Sequence, residues 1–171
     1  MATHARRHGW ADRLERVARL IPGIGRYQDR EGLRETDKRV RLYLAEQLAG
    51  LQRILERAQE RLVDGKRLDR LTALDRVGRA LSTAADRIRT ASYGFSGVFD
   101  LQKVREGELA DLHAYDVRLL EEVPKLKARL QALADAATAE AGFPEALQAA
   151  QAGVDALADA LREREHIARR L

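Results

Sequence analysis

Glu163 and His166 stand three residues apart in the run Glu163-Arg164-Glu165-His166. On a helix that spacing puts a carboxylate and an imidazole on one face, the half-site from which di-iron bundles are built. Such a centre needs a second copy of the motif plus two further glutamates, and the chain has no second copy. The motif also falls in a charged terminal stretch, LREREHIARRL, which is expected to fray and to face solvent. His113 and Asp116 share the same spacing, but Asp111, His113 and Asp116 cannot all share a face. Asp116 is the more informative residue, because it flanks Leu112, Tyr115 and Leu119 on an apolar stripe. A carboxylate close to a core needs a partner, and Arg87 and Arg89 are the candidates, as a structural ion pair in the first instance. His4 and His8 lie in an N-terminal tail.

Other chemistries lack their residues. There is no cysteine, hence no disulfide framework, thiolate metal site or cysteine nucleophile. No P-loop, dinucleotide-binding glycine pattern, zinc motif or nucleophile elbow occurs. The expectation is a protein without catalytic residues, metal or cofactor, with no small-molecule substrate evident, and not an enzyme.

The elements that would position any site are legible from apolar spacing and from glycine and proline breaks. Of the 171 residues, 34% are charged and only 5% aromatic, and helix formers dominate. A first segment, Trp10 to Ile21, places Trp10, Leu14, Val17, Ala18 and Ile21 on one face, and Pro22-Gly23 ends it. A second runs from about Tyr27 to Val63, with a seam of Val40, Leu44, Leu48, Leu51, Leu55, Ala58 and Leu62 close to a heptad. Asp64-Gly65-Lys66 follows, with Gly65 placed to cap the helix end. A third segment carries Leu68, Leu71, Leu74, Val77, Leu81, Ala84, Ile88 and Ala91. The short turn between the second and third makes them antiparallel neighbours.

A fourth segment, about Val104 to Glu140, carries Leu109, Leu112, Tyr115, Leu119, Val123, Leu126, Leu130 and Leu133. Pro124 predicts a kink near 120–124. The last segment begins at Pro144 and carries Leu147, Ala150, Val154, Leu157 and Leu161. No strand pattern appears. The predicted fold is all-α, with four long helices in two antiparallel hairpins after a short amphipathic helix. Residues 1–25 form a tail and first helix, and 26–171 the bundle domain. Whether the hairpins close into one bundle or splay apart stays open.

Between the third and fourth segments lies TASYGFSGVFD, where Tyr93, Phe95 and Phe99 interleave with Gly94 and Gly97. The glycines permit backbone angles other residues avoid, so the rings can fold over the end of the bundle as a plug. The same rings are candidate partner-docking residues, since rigid aromatic loops make good interfaces. A ligand site is the third reading.

The stretches DRIRTASYGFSGVFD at 86–100, LHAYDVRLLEEV at 112–123 and IPGIGRYQDREGLRETDKRVR at 21–41 resemble an uncharacterised bacterial all-helical protein family with the signature D-R-I-x-T-A-x-Y-G-[YF]-x-G-x-F-D. The resemblance covers roughly residues 20–130. It implies an all-helical fold and no assigned activity, and it carries no catalytic residues to transfer.

Charge and the first segment frame the function. The net charge is +4, with residues 1–99 basic and 100–171 acidic. Arginine outnumbers lysine 26 to 5, which fits a GC-rich genome as readily as a role. Non-specific nucleic-acid binding through the basic half is therefore a second alternative only. No apolar run approaches the roughly 18 residues that span a bilayer, and the basic N-terminus lacks the apolar core of a secretory signal. The expected location is cytoplasmic, or peripheral to the inner membrane. In the peripheral reading Trp10, Leu14, Val17 and Ile21 enter a membrane surface while Arg13 and Arg16 meet anionic lipid. The layout alone is similar to phage-shock-protein-A and ESCRT-III-like membrane scaffolds. In the competing reading the same face packs on the bundle. The leading expectation is a non-enzymatic interaction or scaffold protein with a protein partner or with itself.

Overall fold

The computed structural model describes residue 21, residues 30–91 and residues 106–168, with side chains at 21, over 38–91, at 112 and over 115–167. Four helices account for most of them: α1 (Arg30–Asp64), α2 (Leu71–Thr90), α3 (Glu106–Thr138) and α4 (Phe143–Ala168). A one-turn 3₁₀ helix, Leu68–Arg70, leads into α2. There is no strand among the described residues. The short first helix and the 92–105 stretch lie outside them, and with them Tyr93, Phe95 and Phe99.

The hairpins are packed together, not splayed. α1 lies against α2 and α3, and α4 lies against α3 and α2. Two contacts set the direction of the cross-hairpin pairs. Arg61, near the end of α1, donates to the Ala134 carbonyl near the end of α3, so these helices run parallel. Arg87, near the end of α2, meets Glu165, near the end of α4, so these run parallel too. Both tight turns therefore sit at one end of the bundle. Arg41 donates to the Ala91 carbonyl at the other end.

The stripes read from the sequence form this interior. Val40, Leu44, Leu48, Leu51, Leu55, Ala58 and Leu62 are all buried, as are Leu74, Val77, Leu81, Ala84 and Ile88. So are Leu119, Val123, Leu126, Leu130 and Leu133 of α3, and Ala150, Val154, Leu157 and Leu161 of α4. Leu68 does not belong with them. It is 58% exposed, because the 3₁₀ turn rotates it off the α2 stripe. Ile21, ahead of α1, is buried in the same core. α3 runs through Pro124 without ending, with the proline on its exposed side.

The turn after α1 corrects the expected role of Gly65. The residue with positive φ is Lys66, at 55°. The amide of Arg67 donates to the Leu62 carbonyl (2.9 Å) and that of Lys66 to the Val63 carbonyl (3.1 Å), the paired bonds of a Schellman end. The left-handed position is one residue later than glycine placement suggests. At the α3–α4 turn Gly142 does occupy that region, with φ 84°, and its carbonyl accepts from the Ala146 amide (3.1 Å) at the start of α4.

Candidate functional site

The arginines of the first hairpin tip find backbone carbonyls at the end of α3, and Arg70 Nε also lies 3.9 Å from Asp69 Oδ2. A helix ends with carbonyls that have no partner within it, and these carry partial negative charge. At the end of α3, Arg61 takes Ala134 (3.1 Å) and Arg67 takes Thr138 (2.9 Å). Arg70 Nη1 lies 3.0, 2.8 and 2.8 Å from the carbonyls of Ala136, Ala137 and Ala139. Its guanidinium also stacks over the Phe143 ring, 4.7 Å from the centroid. One arginine thus joins the start of α2, the end of α3 and the start of α4.

The opposite end holds the polar cluster with the most chemistry. Asp116 on α3 and Arg164 on α4 are the buried charged residues among those described, with 0% and 2% exposure. Arg164 Nε donates to Asp116 Oδ1 at 2.6 Å, and Nη2 to Oδ2 at 3.3 Å. This is a two-point pair that fixes the guanidinium plane as well as its position. Beside it, Arg87 Nη2 of α2 meets Glu165 Oε2 at 3.1 Å, half-buried. Adjacent residues of α4 therefore bind two different helices.

This arrangement corrects two expectations. The partner of Asp116 is neither Arg87, which faces Glu165, nor Arg89, which pairs with Asp86 at 3.3 Å along its own helix. It is Arg164, from the segment expected to fray. The reason is visible in the spacing: Leu147, Ala150, Val154, Leu157 and Leu161 step by three and four, and the next step is Arg164. On α3, Asp116 falls between Leu112 and Leu119 at the same steps. Both charges occupy seam positions, where a polar residue specifies alignment at a cost in stability. Reading each stripe to its end, including its polar members, would have found the pair.

Glu163 and His166 are exposed, while Arg164 between them is buried and Glu165 half-buried. No group of three or more His, Cys, Asp or Glu residues placed to hold a metal occurs among the described residues. Tyr115 is half-buried and, with Arg118, Leu119, Glu122 and Ala160, lines an open, shallow groove of about 240 Å³. Of the candidate membrane-contact residues, Ile21 is in the core; Trp10, Arg13, Leu14, Arg16 and Val17 lie outside the described residues. Compared with protein-family models, curated proteins and solved structures, the chain matches none. No described helix is long and apolar enough to cross a membrane.

Chemically the cluster is suited to holding helices. Both oxygens of Asp116 are engaged by one guanidinium, and a guanidinium keeps its protons throughout the ordinary pH range. The geometry joins α2, α3 and α4 at the end away from the turns.

Proposed function

We propose that the chain is a non-enzymatic helical interaction or scaffold protein. The observation that carries this reading is the engagement of Asp116 by Arg164, and of Glu165 by Arg87. The buried polar groups a catalytic reading would recruit are holding helices together. The leucine stripes are turned inward as well. The exposed large hydrophobics in the described part are Leu42, Val63 and Leu68. In this reading the docking residues are Tyr93, Phe95 and Phe99, and self-association through the heptad seams is the weaker form of the proposal.

The test is affinity capture with the full chain and with a Tyr93→Ser/Phe95→Ser/Phe99→Ser variant, each checked for helicity and cooperative melting. The proposal expects a stoichiometric partner kept by the parent and lost by a folded triple variant. A variant that keeps the partner would move the docking surface elsewhere. A reproducible turnover by the purified chain would end the non-enzymatic reading.

The peripheral-membrane alternative rests on Trp10, Leu14 and Val17 with Arg13 and Arg16; burial of Ile21 favours packing at that end of the first segment. Co-sedimentation with anionic vesicles, with and without residues 1–24, decides it. Absence of binding by the full chain ends it. For nucleic acid, a mobility shift lost at physiological salt would mean charge attraction alone.

A further inference from the structure

The tip of the first hairpin carries apolar side chains that the core does not take. Val63 is 54% exposed and Leu68 58%, and both belong to the turn from the end of α1 to the start of α2. Apart from Leu42 they are the large exposed hydrophobics among the described residues. Around them stand Arg61, Lys66, Arg67 and Arg70 against Asp64 and Asp69, a surplus of positive charge. Arg61 and Arg67 each give one nitrogen to carbonyls at the end of α3. Among the described residues no carboxylate is in ion-pair contact with Arg61, Lys66 or Arg67. The tip is an apolar point edged by cations that lack counter-charges.

α4 carries the reverse on its outward side. Glu145, Ala149, Ala152, Ala156, Asp159 and Glu163 step by four and three, so they share one face, and all are exposed. That face is turned away from the buried stripe of Ala150, Val154, Leu157 and Leu161. The alanines leave a shallow strip with carboxylates at both ends, and the exposed Asp155 adds another at its margin. Arg162 bonds Asp159, and Arg129 of α3 borders the strip at Gly153. Glu145, Asp155 and Glu163 have no ion-pair partner among the described residues. Carboxylates and a row of alanines do not alone make a site; here the same chain also presents their complement in shape and charge. The tip cannot reach the strip of its own molecule, because Arg61, Arg67 and Arg70 pin it to the end of α3.

We propose that the tip at Val63, Lys66 and Leu68 docks on the alanine strip of α4 in a second copy of the chain. Val63 and Leu68 lie against small side chains and lose their contact with water. Lys66, Arg61 and Arg67 meet the carboxylates along the edge, each such exposed pair adding little by itself. Asp64 and Asp69 within the tip disfavour a continuous polyanion such as lipid or nucleic acid, but leave room for the discrete carboxylates of a helix face. Because the two surfaces differ, each docked copy still offers a tip and a strip, and association continues into a ring or an open chain. Neither the buried seams nor Tyr93, Phe95 and Phe99 take part, so the contact is separate from the docking reading above.

Sedimentation velocity of the full chain tests this. Association is expected at protein concentrations up to about 1 mM. It is expected to weaken about tenfold between about 0.1 M and 1 M salt, as the screening length drops from roughly 10 to roughly 3 Å. A tip variant, Val63→Ser/Lys66→Glu/Leu68→Ser, and a strip variant, Asp155→Lys/Asp159→Lys/Glu163→Lys, should each be monomeric. Mixed, they should give a one-to-one complex and nothing larger, since one keeps the strip and the other the tip. The Tyr93→Ser/Phe95→Ser/Phe99→Ser variant should associate like the parent. A parent that stays monomeric, or that stops at a closed dimer, overturns the proposal. So do single variants that still associate, a mixture that does not, or loss of association in the aromatic variant. Should a triple variant not fold, Leu68→Ser alone is expected to weaken association about tenfold, and no weakening overturns the role of the tip.

Discussion

Asp116 and Arg164 are 48 residues apart in sequence and share a two-point ion pair in the interior, 2.6 Å at its shorter contact. Taking two charges out of water is costly, and their attraction repays it only with good geometry. Removing one partner strands the other. Asp116→Ala is therefore expected to destabilise the bundle by about 3–5 kcal/mol in urea unfolding. Asp116→Leu/Arg164→Met is expected to fall within roughly 1–2 kcal/mol of the parent, or above it. A single substitution as mild as the double would mean that the pair is not buried as described.

Arg70 predicts a second cost, at the turn end. It is 13% exposed and lies within hydrogen-bonding distance of three carbonyls closing α3 while stacking on Phe143. Charge-assisted bonds of this kind are worth about 1.5–3 kcal/mol each at most in net terms, and these share one nitrogen. Arg70→Ala is expected to lower stability by about 2 kcal/mol. Arg70→Lys should recover less than half of that, since an ammonium lacks the planar fork and stacks poorly. Thermal melts of the two variants measure it.

Three helical glycines separate by their surroundings. An added Cβ at Gly50 meets nothing within 4 Å, and at Gly78 only Leu55 Cδ1 at 3.8 Å. Gly50→Ala and Gly78→Ala are each expected to stabilise by about 0.5–1 kcal/mol through helix propensity. At Gly153 the Cβ would stand 2.9 Å from Arg129 Nη1 and 3.1 Å from Leu126 Cδ1. Arg129 is exposed and can swing away, but Leu126 is packed in the core. Gly153→Ala should therefore lose the propensity gain and come out neutral or destabilising. A stabilisation equal to that of Gly50→Ala would show that α3 and α4 are less closely opposed there.

Two turn positions should respond in opposite directions. Lys66 holds a left-handed conformation that costs a side-chain-bearing residue about 1 kcal/mol. Lys66→Gly is expected to raise stability by about 0.5–1 kcal/mol, net of glycine's greater freedom when unfolded. Gly142→Ala, at φ 84°, is expected to lower it by about 1–2 kcal/mol. Chemical denaturation curves with shifted midpoints and unchanged slopes would show that each changes stability without changing the surface exposed on unfolding.

The helices themselves were legible from local signals. Stripes such as Val40 to Leu62 and Leu119 to Leu133 repeat every three or four residues, which is a property of neighbours along the chain. Gly and Pro placed the breaks to within a few residues, as at Gly142-Phe143-Pro144 before α4. The hairpin pairings followed from the short turns.

What sequence spacing left open needed three dimensions. It could not pair α1 with α3 or α2 with α4, because those contacts join residues as far apart as Arg87 and Glu165. It could not assign Asp116 its partner, because several arginines offer the same charge and only the register of α4 on α3 selects Arg164. It marked Gly65 as the capping glycine, but the residue that turns left-handed at the α1 terminus is Lys66. The amino-acid order by itself determined four rods and their apolar faces, since burial follows a period written along one helix. Tertiary structure decided which charges meet in the interior, since an ion pair's worth depends on distance and dryness, and both are set by how separate helices pack.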